Sequence, residues 1–273
     1  MSVSKKETKR VTVQTLHAMK AKGEKITMLT AYDYTMAKII DGAGIDIILV
    51  GDSAANVMAG YETTLPMTLD AMIYHASAVV VRACARALVV ADLPFGTYQS
   101  DPQRALDSAI RMMKESGAQA VKLEGGREIG EGIRRILDAG IPVIGHLGLT
   151  PQSINKFGGY GLRAKEQAEA QKLKEDAHYL QELGCSAIVL EKIPAALAKE
   201  VTQSLSVPTI GIGAGHQVDG QVLVSQDFFG MFVDYKPKFV RQYLNLHELM
   251  TGAVSQYITD VKAQTFPNES EQY

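Results

Sequence analysis

Five times along the chain an aliphatic run ends on a side chain that can ionise. The first is Ile47-Ile48-Leu49-Val50-Gly51-Asp52-Ser53, which delivers a carboxylate and a hydroxyl where the backbone leaves the core. Leu88-Val89-Val90-Ala91-Asp92 and Ala120-Val121-Lys122-Leu123-Glu124 repeat the design. So do Ile141-Pro142-Val143-Ile144-Gly145-His146 and Ala187-Ile188-Val189-Leu190-Glu191. Runs that stay apolar at successive positions are strands covered on both faces, as parallel sheets require. Ionisable residues at the same end of each predict one shared polar site.

Helical patterns fill the gaps between these strands. Thr12 caps a short helix bearing Val13, Leu16 and Met19, closed by Gly23, and Ile26 to Ala31 is the first strand. A helix from Thr35 to Asp41 ends at Gly42 and Gly44. A loop over Ala54 to Met67 follows the second strand. Thr68 then caps a helix with Leu69, Met72, Ile73, Ala76, Val79, Val80 and Ala83 on one face. Asp101-Pro102 starts a helix through Glu115, and Ile133, Ile136 and Leu137 mark the next. Leu147 to Arg163 reads as a long connection and Ala164 to Leu183 as a charged helix. Pro194 opens a further helix before strands at Val207 to Gly211 and Gln221 to Val224. About eight right-handed βα units predict an α/β chain closed into a (β/α)8 TIM barrel. Phe239 to Ala263 is expected as extra C-terminal helix. One domain over 1–273, with flexible tails over 1–11 and 266–273, is the expected organisation.

A barrel suits a chain of 273 residues, 46% of them hydrophobic. A formal charge of -2 gives no reason to expect nucleic acid or an acidic membrane surface as partner. Lys5, Lys6, Lys9 and Arg10 carry no interleaved aromatic residues and read as a solvated terminus. Cys84 and Cys185 stand in no metal-like spacing and form no disulfide framework, which fits a reducing compartment. No run approaches the roughly 18 uncharged apolar residues of a membrane span. The first residues lack a secretory pattern, so a cytoplasmic location is expected.

Neighbouring barrel strands lie about 4.8 Å apart, and the active site of such barrels sits at the carboxyl ends. Asp52, Asp92 and Glu124 end three consecutive strands and should converge on one small volume. Three such carboxylates raise one another's pKa unless a cation sits among them. Oxygen-only donors favour a hard divalent ion, Mg²⁺ most simply. Taken singly, each acid could instead cap a helix or face solvent. Lys122 precedes Glu124 by two residues, so both side chains share a face, with Lys122 one layer deeper. There it could neutralise the acids, grip a substrate carboxylate or form an internal salt bridge. His146 reads as a donor to substrate or as a core histidine. Glu191, across the barrel from the cluster, suits a general base better than a further ligand; the alternative is a pair with Lys192 or another lysine. Ser53 could donate to a metal-bound carboxylate or cap the next loop. Gly211 to Gly215 is similar to the phosphate loops of late barrel strands, though glycine there also permits close backbone approach.

Several stretches in order along nearly the whole chain resemble the ketopantoate hydroxymethyltransferase family. They are Val50-Gly51-Asp52-Ser53, Thr64-Leu65-Pro66-Met67-Thr68 and Ala91-Asp92-Leu93-Pro94-Phe95-Gly96. Next come Val121-Lys122-Leu123-Glu124-Gly125-Gly126 and Gly145-His146-Leu147-Gly148-Leu149-Thr150-Pro151-Gln152. Gly158-Gly159-Tyr160, Glu191 with Ile193-Pro194, and Thr209-Ile210-Gly211-Ile212-Gly213-Ala214-Gly215 complete the set. The resemblance implies one Mg²⁺ per subunit and transfer of a hydroxymethyl group from 5,10-methylenetetrahydrofolate to 3-methyl-2-oxobutanoate. The product is 2-dehydropantoate, for pantothenate synthesis, formed through a Mg-stabilised enolate. It implies Asp52 and Asp92 as direct ligands, with Glu124 beside them directly or through water. It places Ser53, Asp92 and Lys122 on the substrate, makes Glu191 the base, and implies a cytoplasmic homodecamer.

Two stretches depart from the family pattern. Ala54-Ala55-Asn56 stands where many members have Leu-Gly-Met, and Gly161-Leu162-Arg163 where many have Lys-Val-Gln. Both fall in mouth loops and bear on the folate side, not on the acids. Two rival readings are a Mg²⁺ carbon–carbon lyase and a non-catalytic binding barrel. The first needs a cysteine in a mouth loop, and the second gives no reason for acids at successive strand ends.

Overall fold

Eight short strands with both faces covered have one economical arrangement, a closed cylinder wrapped in helices. In the computed structural model they are β1 (Ile26–Thr30), β2 (Ile47–Val50), β3 (Leu88–Asp92) and β4 (Ala120–Glu124), then β5 (Val143–Gly148), β6 (Ala187–Glu191), β7 (Thr209–Ile212) and β8 (Gly220–Leu223). They pair in parallel in chain order, and β8 closes onto β1. The structure describes residues 9–232 and 236–273, and the side chains of residues 80 and 81 lie outside that description. The expected basic residues Lys5 and Lys6, and the Val80 side chain, therefore fall outside the described residues.

Alternate strand positions fill the cylinder. Ile26, Met28, Ile47, Leu49, Leu88, Val90, Ala120, Ile144, Val189, Ile210 and Val222 form one buried cluster. Stepping two residues onward along β3, β4, β5 and β6 reaches Asp92, Lys122 and Glu124, His146, and Glu191, so the apolar layers give way to a polar one at the carboxyl end. Register sharpens this. Asp92 pairs with Lys122, Glu124 with His146, and Gly148 with Glu191 across adjoining strands.

Helix α1 (Val13–Lys22) follows its N-cap Thr12 and ends at Gly23 in the left-handed conformation. Its Leu16, with Val11, joins the buried cluster. Within the stretch expected as a flexible tail, Val11 N–H donates to Arg86 O at 2.8 Å, and the Arg10 guanidinium donates to Cys84 O. Helix α2 (Tyr34–Gly42) starts one residue earlier than expected because Asp33 accepts from Met36 N–H. The expected loop after β2 opens as a helical turn, α3 (Ala54–Val57), which begins with two buried alanines, the best of helix formers. Helices α4 (Leu69–Arg82) and α5 (Pro102–Arg111) begin at Thr68 and Asp101 as the sequence indicates. α5 widens into one π-helical stretch, Met112–Ser116. Helix α6 (Gly130–Asp138) follows β4, and the connection after β5 holds a 3-10 turn at Pro151–Ser153 and α7 (Ile154–Phe157). Helix α8 (Gln167–Leu183) is shorter than expected by its first turn, and α9 (Ala195–Ser204) follows Pro194.

A single domain was expected over 1–273, yet the backbone divides into two compact units, Met1–Leu223 and Val224–Tyr273. The second contains α10 (Ser225–Phe228) and α11 (Leu246–Lys262). Helix α11 begins seven residues later than Phe239 because Asn245 caps it, and the Tyr243 and Leu246 N–H groups bond back to Phe228 O and Phe229 O at 2.9 Å each. Phe228 and Tyr243 stack at 4.6 Å. A capped 3-10 turn, Glu269–Glu271, lies within the expected C-terminal tail. Among the described residues no helix is long and apolar enough to cross a membrane.

Candidate active site

The three acids do converge. Asp52 N–H donates to Asp92 Oδ2 at 3.0 Å, and Lys122 Nζ lies 3.1 Å from Asp92 Oδ1 and 3.9 Å from Glu124 Oε1. His146 continues the chain: its Nδ1 is 3.1 Å from Lys122 Nζ and 3.3 Å from Glu124 Oε1, and its Nε2 is 3.3 Å from Glu191 Oε2. Six of the seven residues singled out from sequence therefore form one contiguous group at the carboxyl ends of β2 to β6. Asp52, Asp92, Lys122, Glu124 and His146 are all buried, each less than a tenth exposed.

Burying so much charge shapes the ionisation of the group. Burial, then Glu124 and Asp92, push the Asp52 carboxyl well above the usual range. Burial also raises Asp92, although Lys122 and the Asp52 N–H oppose it. Glu124 is the exception. Burial would raise it, but His146, Lys122 and the Gln152 N–H together hold it below the ordinary carboxylate value. Burial works against the Lys122 ammonium, and Asp92, Glu124 and Asp52 outweigh it, so Lys122 stays firmly charged. Burial and Lys122 both press His146 towards neutrality, yet Glu124 and Glu191 prevail and raise it to about 9. A charged imidazole between Glu124 and Glu191, beside a Lys122–Asp92 pair, accounts for both.

Each acid is held through one oxygen. Gln152 Nε2 donates to Asp52 Oδ2 at 2.9 Å, Asp52 N–H to Asp92 Oδ2 at 3.0 Å, and Gln152 N–H to Glu124 Oε2 at 2.9 Å. The second oxygens, Asp92 Oδ1 and Glu124 Oε1, are buried and accept no well-aligned hydrogen bond, and they meet the Lys122 and His146 cations; His146 Nε2 likewise makes no well-aligned hydrogen bond. Buried polar atoms without one are uncommon. Among the described residues, no three His, Cys, Asp or Glu side chains form a ready-made metal cage. That donor set still fits Mg²⁺, which is commonly bound by one or two carboxylates and completes its shell with water and substrate oxygens.

The alternatives weighed for single residues resolve unevenly. Lys122 is an internal ion-pair partner, as one reading had it, and it lines the group that would meet a substrate. Lys192 Nζ donates to Tyr160 O, and Glu191 meets His146 Nε2. The hydroxyls of Ser53 and Tyr32 share a hydrogen bond of 2.8 Å. Ser53 stands at the N-cap of α3 without a side-chain cap. In the glycine run after β7, close approach is the physical reason at Gly215: a Cβ there would sit 2.5 Å from Ala195 Cβ. Neither cysteine is at the mouth; both are buried, Cys84 just before β3 and Cys185 just before β6. Both therefore sit at the strands' amino ends, away from where a lyase-type mouth cysteine would stand.

A cleft of about 730 Å³ opens beside the group, with Tyr98, Glu124, Gly148, Gln152, Phe157 and Arg163 among its walls. A profile of the ketopantoate hydroxymethyltransferase family matches residues 10–269. The chain belongs to the ketopantoate hydroxymethyltransferase family. It is 68% identical to a 3-methyl-2-oxobutanoate hydroxymethyltransferase of Flavobacterium johnsoniae and 66% identical to one of Christiangramia forsetii, with all of each chain covered. Relatives so named, matched over their full length, make this member of the family an enzyme of the hydroxymethyltransferase class. Solved structures similar in fold include a phosphonopyruvate hydrolase crystallised with oxalate and Mg²⁺ (TM-score 0.61, 13% identity, 96% of this chain and 93% of that one). Another is 2,3-dimethylmalate lyase, from the PEP mutase/isocitrate lyase superfamily (TM-score 0.58, 15% identity, 94% and 89%). At such identity they speak to the barrel alone.

Sequence reasoning missed Tyr98 and Gln152 as parts of this family member's site. Tyr98 lies in the loop after β3, where its hydroxyl donates to Gln152 Oε1 at 2.7 Å and receives the Glu124 N–H at 3.0 Å. Gln152 ends a motif that the family resemblance rests on, but no periodicity or spacing distinguishes it from an ordinary loop residue.

Proposed function

We propose that this chain transfers a hydroxymethyl group from 5,10-methylenetetrahydrofolate to 3-methyl-2-oxobutanoate, consuming one water and releasing 2-dehydropantoate and tetrahydrofolate. The observation carrying this reading is the gathering of Asp52, Asp92 and Glu124 around Lys122, with Asp92 Oδ1 and Glu124 Oε1 buried, in contact with cations but accepting no well-aligned hydrogen bond. Full-length relatives with the corresponding name support it.

Asp52 and Asp92 would hold Mg²⁺, with Glu124 beside them directly or through water. When bound, the ion supplies Lewis-acid polarisation of the keto group of a chelated 2-oxo acid. The chain's own residues do the remainder. Lys122, beside Asp92, would offer its charge to the substrate carboxylate, and Ser53, whose hydroxyl meets Tyr32, would donate to the same substrate. Glu191 takes the proton from C3. His146 Nε2, 3.3 Å away, would hold the Glu191 carboxylate by charge. C3 then forms its new bond to the one-carbon unit. The cleft beside Glu124 and Gln152 has the volume that small-molecule sites commonly have and offers room for the carrier.

The reading includes a cytoplasmic location and assembly into a homodecamer. In support of assembly, Met250, Val254, Tyr257 and Val261 of α11 recur at spacings of four, three and four and are all exposed, forming an apolar stripe. The test of function is formation of 2-dehydropantoate from the oxo acid and the folate donor with Mg²⁺. The Asp52→Ala variant is expected to give none.

A further inference from the structure

Gln152 reaches from the turn after β5, past the ends of β4 and β3, to Asp52 beyond β2. Its Nε2 donates to Asp52 Oδ2 at 2.9 Å and to the Leu93 carbonyl at 3.0 Å. Its Oε1 accepts from the Tyr98 hydroxyl at 2.7 Å and from Gln99 Nε2 at 2.9 Å. Its backbone N–H, an early donor of the 3-10 turn, goes to Glu124 Oε2 at 2.9 Å. A carboxamide has two N–H donors and two acceptor lone pairs, and here all four are used. A flipped amide would set its oxygen against a carboxylate and a carbonyl, so one orientation alone is permitted. The residue is 5% exposed, and Ser153 N–H, bonded to Thr150 O at 2.8 Å, fixes the turn that carries it.

We propose that Gln152 is a positioning residue that sets the rotation of the Asp52 and Glu124 carboxylates, leaving their other oxygens turned towards Mg²⁺ and the oxo acid. This rests on the metal reading of the site given above. The terminal torsion of an aspartate is broad and roughly two-fold. Without the Nε2 donor, the Asp52 carboxylate loses the bond that fixes its rotation. Glu124 keeps its backbone donor in any variant at position 152 that preserves the turn. The side chain's effect therefore falls on Asp52 first. Tyr98 and Gln99 act one step further back, by holding the amide upright.

The test is Mg²⁺ binding by calorimetry on the full chain, with no substrate present. Gln152→Met keeps length and volume but removes all four side-chain bonds. It is expected to weaken Mg²⁺ about 10–100-fold, the usual cost of losing a partner of a metal ligand, and to raise the Mg²⁺ concentration for half-maximal activity by the same factor. Tyr98→Phe removes the hydroxyl behind Oε1 and is expected to weaken Mg²⁺ several-fold, which keeps the test decisive if Gln152→Met does not fold. A folded Gln152→Met that binds Mg²⁺ like the wild type, with only its melting temperature lowered, overturns the proposal. So does unchanged binding in Tyr98→Phe when Gln152→Met fails to fold. A wild type that binds no Mg²⁺ overturns the metal reading itself, and the proposal with it.

Discussion

His146 Nε2 lies 3.3 Å from Glu191 Oε2, and through that contact the carboxylate on β6 is joined to the acids on β2, β3 and β4. The charged imidazole holds Glu191 apart from the acid cluster, which suits the proposed role of Glu191 as a base and not a ligand. Glu191→Gln should therefore keep wild-type Mg²⁺ affinity while slowing loss of the C3 hydrogen of 3-methyl-2-oxobutanoate by about 10²–10⁴, the usual range for a general base. Calorimetry and proton NMR on the same preparation decide it. Loss of Mg²⁺ binding would make Glu191 a ligand.

Gly148 is the neighbour that lets Glu191 stand where it does. Its φ is +93°, and a Cβ would fall 2.2 Å from the Glu191 carbonyl oxygen, which already accepts Leu149 N–H at 2.8 Å. Gly148→Ala must push β5 and β6 apart at the site. The strained backbone alone costs about 1–3 kcal/mol. Urea denaturation should show a loss of at least that size, and C3 exchange should fall while Mg²⁺ affinity changes less. An unchanged exchange rate would contradict the placement of Glu191.

Lys122 compensates three buried acids. Removing one partner of a buried ion pair typically destabilises by about 3–5 kcal/mol, because the remaining charge keeps its desolvation cost. Lys122→Met should lower stability by about that amount without Mg²⁺ and recover part of it when Mg²⁺ is added. Thermal melts with and without the ion test this; equal losses in both would deny any ion at the acids.

Much of this was legible from sequence, for a definite reason. Strand parity and the end of each apolar run are encoded one residue at a time, so Asp52, Asp92, Glu124, His146 and Glu191 could be placed at one rim, with Lys122 one layer deeper. What was not legible depends on contacts between loops. The Ser53 hydroxyl turns to Tyr32, and Gln152 reaches Asp52 across 100 positions of sequence. The late start of α11 likewise follows from a cap at Asn245 and backbone bonds to residues 228 and 229, while apolar periodicity alone extends the helix too far upstream.

Both thiols titrate far from their ordinary range. Burial pushes Cys185 up to about 12, and burial with Asp41 does the same for Cys84. In the unfolded chain they ionise near 8.5. A raised folded pKa contributes stability that is complete below the unfolded value and is lost as pH climbs towards the folded one. Stability should therefore decline from about pH 8.5 towards 12, and a Cys84→Ala, Cys185→Ala double variant should decline less steeply. Iodoacetamide at pH 8.5 should label neither thiol in the native protein and both in urea. Rapid native labelling would contradict their burial.

The account turns on acids gathered at the barrel rim to bind a divalent ion and so loosen a proton on an oxo acid. Its most direct measurement is exchange of the C3 hydrogen of 3-methyl-2-oxobutanoate in deuterated water, with no folate present. Wild-type protein should catalyse it with Mg²⁺, lose it with a chelator, and lose it in Asp52→Ala. Wild-type protein that gives no exchange with saturating Mg²⁺, and no 2-dehydropantoate when the folate donor is added, would contradict the account.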